Sequence, residues 1–464
     1  MKTKSFAVLL GFVVLFASCS VLGDIEDLRA KVTSKKSFSV RIMGDKWETA
    51  ILTADVTASS GIGTPSYKWL RRTSPTVTPT EISGANASTY TVGPSDRNMY
   101  ISVIVEYSLL DDVVESAQVK IHPGIAIKDI DGQYGLNNIR SGLSGSYILL
   151  DNLTLSSNWN PIGITTSFSG TFDGNGHTIT IGNSIVALNI ASSVDAAGLF
   201  GAIGSSGTVK NLRLVATATP SISTSSSNVF YTGAVAGENR GTIMNVSSTV
   251  PFSTASGTFR TGGIVGRNYG TIKNCYNGGT INVSVSNTTG AYGGGIAAML
   301  ILGGKITNCW SSGNVTAKNT STTPDQGGHA GGIFGSYGTT GGSGDTEVKG
   351  NVALCSTVTS NDQNSRGRIW GNGSLGSGTL TEHNFGFDDM DLVPYYGVTG
   401  SPKLGTNVST ALASTQGWWT GTAGWTTVYN SKAAAQAALA AASDPDTVSP
   451  WVWNGTRPVL WFTL

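Results

Sequence analysis

The chain has 464 residues but only four histidines and 28 acidic residues, so little of it can do acid–base chemistry. Cleavage of a polysaccharide needs paired carboxylates, or a metal held by carboxylates with a base nearby. Between Ala196 and Pro324 the only acid is Glu238, so this stretch cannot supply a pair by itself. Asp173 with His177 is the best acid–base suggestion, yet Asp173-Gly174-Asn175-Gly176 is a strong turn sequence, and a turn is the expectation. Asp388, Asp389 and Asp391 could hold Ca²⁺, against the plainer reading of a solvated acidic loop. His122, His177, His329 and His383 fall in no metal or triad signature, and no His-Glu-x-x-His occurs. Cys275 and Cys309 take equivalent places where other repeats have Leu212 and Val246. That marks a small buried apolar slot rather than a reactive thiol, and Cys355 is expected to be buried too. No catalytic residue, metal or cofactor is assigned.

Binding is better supplied. Residues 196–324 carry Lys210, Arg213, Arg240, Arg260, Arg267, Lys273, Lys305 and Lys318 against Glu238 alone. Some recur at equivalent repeat positions, Arg240 beside Tyr269 and Lys210 beside Lys273. Lys210, Arg240, Arg267, Tyr269, Lys273 and Lys305 are therefore the candidate ligand-binding face, a mildly basic strip suited to an anionic glycan or another polyanion. The alternative is ordinary solvated surface. A formal net charge of +1 gives no overall nucleic-acid character.

These side chains sit on a repeated phrase. Residues 232–246 (TGAVAGENRGTIMNV) return as 261–275 (TGGIVGRNYGTIKNC), with looser copies over 198–212, 294–309 and 331–351. The 294 copy carries Met299-Leu300-Ile301-Leu302 in place of a polar turn, and the 331 copy is stretched by residues 338–345. Self-similarity of this length marks a solenoid, whose units bury their apolar faces only by stacking. Gly233, Gly262 and Gly263 let backbones turn sharply or approach closely. Val235/Ala236 and Ile264/Val265 point into the shared interior. Asn239 and Asn268 are expected to take left-handed turns and cap backbone groups. Asn245, Asn274 and Asn308 are expected to stack as an amide ladder with rungs about 4.8 Å apart.

Composition agrees with short strands and tight turns: 61 glycines, and 12% charged residues. Before the repeats, residues 37–122 alternate in the strand period, with Tyr67-Lys68-Trp69 fitting an inward-facing tryptophan. After them, six of the eleven tryptophans (Trp418, Trp419, Trp425, Trp451, Trp453, Trp461) gather where an aromatic cap would close the last rung. Ser431 is positioned to cap one short helix over 432–442.

Three resemblances add to this. Lys2 and Lys4, the apolar run 6–16, and Ala17-Ser18-Cys19 resemble a bacterial lipoprotein signal, which implies lipidation of Cys19, although Phe16 departs from the usual aliphatic residue. Trp69, the segment 88–92, and Asp96-Arg97-Asn98-Met99-Tyr100, read as a corner with a tethered tyrosine hydroxyl, resemble a bacterial immunoglobulin-like domain without its disulfide. Residues 132–464, through the 168–179 opening (FSGTFDGNGHTI) and the repeated Gly–apolar–apolar–Gly–Asn–Gly phrase, resemble GLUG-motif proteins, bacterial surface and secreted proteins with stacked β-repeats.

The expected molecule is all-β. A signal peptide (1–18) and tether (19–36) precede an immunoglobulin-like β-sandwich (37–122), a parallel β-helix or β-solenoid (123–392) and an aromatic C-terminal cap with one helix (393–464). The expected role is a non-catalytic lipoprotein at the bacterial outer membrane or cell surface, or a secreted form of it. It would be membrane-anchored by lipid and contact a glycan or protein partner without binding nucleic acid. The competing expectation is a carbohydrate-active β-helix enzyme, a lyase or glycosidase.

Overall fold

The computed structural model describes residues 37–464 except 156–157, 192–193, 224–227, 255–257, 287–289, 321–326, 363, 376–378, 394–401 and 443. The expected signal peptide, the tether and lipidation of Cys19 lie outside the described residues. The chain divides at Pro123/Gly124 into two units.

In the first unit, alternation places Leu52, Ala54, Trp69, Ile101, Val103 and Val105 in one core. Two antiparallel sheets supply it. One pairs Phe38–Met43 with Ile51–Ala58 and then Thr89–Thr91; the other is centred on Pro65–Arg72 against Tyr100–Tyr107. Trp69 is fully buried, and its Nε1 donates to Ala87 O at 3.0 Å. The tethered tyrosine differs from expectation. It is Tyr90, not Tyr100, whose hydroxyl donates to Asp96, at 2.5 Å. Asp96 also accepts from Gly93 N at 2.8 Å and pairs with Arg71 at 3.2 Å, so the buried carboxylate organises the corner from its own side.

In the second unit the repeated phrase forms coils whose strands pair in parallel with the next coil. One coil runs Thr258–Gly262, Val265–Asn268, Thr271–Lys273, Tyr276–Asn277 and Ile281–Val285. Stacking gives parallel sheets of six and five strands, a seven-strand sheet with one antiparallel pair at its edge, and a large sheet of sixteen strands. Ile243, Ile272, Ile306 and Val348 align in register and are fully buried. So are Val235, Ala236, Ile264 and Val265. Burying one such side chain contributes about 1.5–3 kcal/mol, and a coil buries several only because its neighbours cover them.

The glycines act by close approach. Gly233 has an ordinary negative φ, but a Cβ there would lie 2.5 Å from both Ile264 O and Val265 Cα of the next coil. The left-handed turns belong elsewhere. Asn211, Asn245, Asn274 and Asn308 have φ of 54°, 56°, 54° and 52°, and Gly350 and His383 continue the column at 66° and 51°. This bends the large sheet once per coil. Asn239 and Asn268, expected in left-handed turns, are instead fully buried: Asn239 Nδ2 donates to Asn268 Oδ1 at 2.7 Å, and its Oδ1 accepts from Gly241 N at 3.1 Å. Their capping role holds; their backbone does not turn left. Leu300, in register with Asn268, ends this inner ladder with an apolar residue.

The column after the left-handed residues reads Leu212, Val246, Cys275, Cys309, Asn351, Asn384, mostly fully buried. Cys309 Sγ lies 3.8 Å from Ile272 O, and Asn351 Nδ2 donates to Ile306 O at 2.8 Å. The slot thus passes from Leu and Val through weak thiol-to-carbonyl bonds to amide hydrogen bonds without changing register. Burial drives the Cys355 thiol up to about 12 and the Cys309 thiol well above its ordinary value.

The C-terminal segment departs from a simple end plug. Thr406–Val408 adds to the large sheet by pairing with Phe385–Phe387, so coiling continues beyond residue 392. The tryptophans then cover a flank. Tyr276, Trp310, Val352 and Phe385 form an apolar column in register, and Trp418, Trp419, Trp425 and Trp451 bury it. Helix Lys432–Ala441 has Ser431 Oγ accepting from Ala434 N at 3.2 Å, as expected. Of two further helices, Thr410–Ala413 and Gln416–Gly421, the second carries Trp418 and Trp419 into the flank.

Candidate functional site

The expected basic face separates into two groups. Arg240, Arg267 and Tyr269 come together around Glu238. Glu238 is 8% exposed and pairs with Arg240 Nε at 2.6 Å and with the Arg267 guanidinium. Arg240 stacks on Tyr269 at 4.1 Å, and Arg267 on Tyr231 at 4.3 Å and Tyr269 at 5.1 Å. Burial opposes the Arg267 charge, but Glu238, Tyr231 and Tyr269 outweigh it and raise its pKa. Glu238 and Arg267 are register partners, so these contacts follow directly from coil stacking.

A second column joins them. Tyr231, Arg260, Tyr292 and His329 occupy one register position in four successive coils. Arg260 lies 5.3 Å from the Tyr231 ring and 4.5 Å from Tyr292, and donates to the Tyr231 hydroxyl at 2.5 Å. Tyr292 stacks on His329 at 4.4 Å and 19°. Burial drives the His329 pKa down to about 4, so the imidazole is neutral at pH 7. Each residue stands two positions before the first glycine of its repeat (Gly233, Gly262, Gly294, Gly331), a regularity visible in the sequence once the repeats are aligned backwards. The result, among the described residues, is a continuous strip of three arginines and three tyrosines with one carboxylate. Cation–π contacts contribute about 0.5–2 kcal/mol each and hold the guanidinium planes in fixed orientation.

Lys210, Lys273 and Lys305 lie on the large sheet instead. Lys210 Nζ contacts both Asp446 carboxylate oxygens, at 2.7 and 2.8 Å, and lies 4.0 Å from Asp173. Lys273 donates to Asp446 O at 3.4 Å, and Lys305 pairs with Glu347 at 3.7 Å. Two of the three lysines therefore hold the C-terminal segment down.

Asp173 forms the expected turn. Its Oδ1 accepts from Asn175 N at 2.8 Å, and Asn175 and Gly176 take φ of 50° and 79°. Burial raises the Asp173 pKa. Asp173 also begins the outer amide ladder. Asn211 Nδ2 donates to it at 3.0 Å, Asn245 Nδ2 to Asn211 Oδ1 at 3.0 Å, and Asn274 Nδ2 to Asn245 Oδ1 at 3.2 Å. At the acidic loop, Asp388 Oδ1 accepts from Asp389 N, and among the described residues no three His, Cys, Asp or Glu side chains gather at metal-binding range. Among those residues no helix is long and apolar enough to cross a membrane.

A family model described as the GLUG motif matches residues 257–282, the coil that contributes Arg260, Arg267 and Tyr269. The chain thus contains a GLUG motif. No curated protein matches it.

Proposed function

We propose that this chain is a non-catalytic, lipid-anchored surface protein whose solenoid binds an anionic glycan along the arginine–tyrosine strip. The first unit, read as an immunoglobulin-like domain, acts as a spacer between the membrane and the solenoid. The observation that carries the reading is the strip itself: Arg260 and Arg267 are braced by tyrosines on consecutive rungs and, among the described residues, exceed the one carboxylate paired with them. Guanidinium groups suit carboxylate and sulfate geometry, and Arg240 stands one coil, about 4.8 Å, before the coil that carries both Arg260 and Arg267. The test is binding of heparin, polygalacturonate and neutral dextran to the full chain at two salt concentrations. Polyanions should bind with salt-sensitive affinity, and Arg260→Ser/Arg267→Ser should weaken binding about tenfold or more. Equal binding of dextran, or indifference to the double substitution, would refute the proposal.

One observation favours an enzyme as second reading: Lys210 lies between the carboxylates of Asp173 and Asp446. Glycan cleavage could draw on such a group. Release of reducing ends or unsaturated products, abolished by Asp173→Asn, would support it over display.

A further inference from the structure

We infer that a polar cleft between the solenoid flank and the C-terminal segment binds one anionic, hydroxyl-rich sugar residue of the hexuronate class. The cleft is separate from the arginine–tyrosine strip. Its volume is about 180 Å³, the space of about six liquid waters, enough for one pyranose ring. Lys273, Asn274, Thr307 and Asn308 line it from the solenoid, and Asp446, Ser449 and the edges of Trp425 and Trp451 from the tail.

Charge selects the ligand's sign. The two carboxylate oxygens of Asp446 are taken by Lys210 at 2.7 and 2.8 Å. Lys273 makes only the 3.4 Å bond to the Asp446 carbonyl and has no carboxylate partner among the described residues. Its ammonium keeps donors and charge for an anion in the cleft.

The amide ladder selects the rest. It runs from Asp173 through Asn211 and Asn245 to Asn274 and stops there. Asn308 keeps the left-handed backbone of the column, at φ 52°, but among the described residues its side-chain amide reaches no partner. The ladder therefore breaks where the cleft opens, leaving the Asn274 carbonyl, the Asn308 amide and the Thr307 hydroxyl to the space between. Half-enclosed groups of both donor and acceptor type lose free energy unless something bonds to them. Vicinal hydroxyls offer both roles at once, while a carboxylate answers Lys273. Indole edges supply an apolar wall for ring C–H groups.

The test is titration of the full chain with glucuronate, glucose and acetate, read by tryptophan fluorescence and calorimetry. Glucuronate should saturate one site at least about tenfold more tightly than either control, since both its charge and its hydroxyls are used. Lys273→Gln, which keeps bonding capacity but drops the charge, should remove that preference over glucose. Thr307→Val should weaken glucuronate severalfold without touching charge, and Arg267→Ser on the strip should leave it unchanged. The inference fails if glucose or acetate matches glucuronate, if no site saturates, or if folded Lys273→Gln and Thr307→Val both bind like the parent. Loss of polyanion binding in Arg267→Ser with glucuronate binding intact separates the two sites.

Discussion

Replacing Asn245 tests the left-handed column quantitatively. Its φ is 56°, it is 4% exposed, and its amide links Asn211 below to Asn274 above. Asn245→Gly deletes both ladder bonds but suits the backbone. The stranded Asn211 carbonyl and Asn274 amide are only half-buried, so about 1–2 kcal/mol is expected. Asn245→Ala loses the same bonds and, unlike glycine, keeps a Cβ in the left-handed region without the asparagine amide to offset it, worth roughly 1–2 kcal/mol against Gly. Glycine's greater freedom in the unfolded chain takes back about 0.4–1 kcal/mol of that difference. The order should be Asn above Gly above Ala, with Ala about 1 kcal/mol below Gly. Urea unfolding followed by tryptophan fluorescence gives the ranking. Hydrogen exchange over residues 242–248 locates it, because stacked coils open locally. Gly at or below Ala would refute the strain argument, and two silent substitutions would refute the ladder.

Three further outcomes are expected. Burial holds the His329 pKa near 4 against an ordinary 6.5, with Asp362 opposing and Arg260 and Lys403 reinforcing the depression. The unfolded chain therefore takes up the proton first as pH falls, so stability is lost between about pH 6.5 and 4, by up to about 3 kcal/mol; His329→Gln should flatten that part of the pH–stability curve. Arg267→Met should destabilise by about 1–3 kcal/mol, since Arg240 alone remains on buried Glu238, and adding Glu238→Gln should recover much of the loss; additive losses in the double-mutant cycle would contradict the pairing. Cys275, Cys309 and Cys355 should resist a thiol reagent in the native protein and react together on unfolding, whereas prompt labelling of Cys275 would place that column at the surface.

Side chains facing one shared interior were legible in the sequence because each repeat restates the same requirement. Leu, Val, Cys and Cys in one slot implied burial, and Trp69 and Ser431 carried equally local signals. The outer amide ladder was legible for the same reason at Asn245 and Asn274, but Asn308, expected as its next rung, keeps the left-handed backbone without joining it. What failed was the choice between equivalent-looking asparagines. Asn239 and Asn245 are both flanked by turn-compatible residues, and only the three-dimensional path shows that the second bends left while the first faces inward. The arginine–tyrosine strip was half seen. Arg240, Arg267 and Tyr269 fall inside the repeated phrase, but Tyr231, Arg260, Tyr292 and His329 lie just before it, where strand lengths vary. The tail was misplaced because tryptophan content reports that a surface is covered but not which one. The apolar column Tyr276, Trp310, Val352 and Phe385 that the tail covers emerges only when four coils are aligned.

Successive left-handed residues are separated by 34 residues from Asn211 to Asn245 but 29 from Asn245 to Asn274, and the following slot spans 42 from Cys309 to Asn351. Even so, Glu347 meets Lys305 in perfect step after the 338–345 insertion. Circumference is thus decoupled from pitch. Extra sequence swells outward at a corner while the axial lattice stays undisturbed, so a peptide tag or foreign epitope grafted between Gly338 and Thr346 should be carried as cargo with the strand register of the coils unchanged.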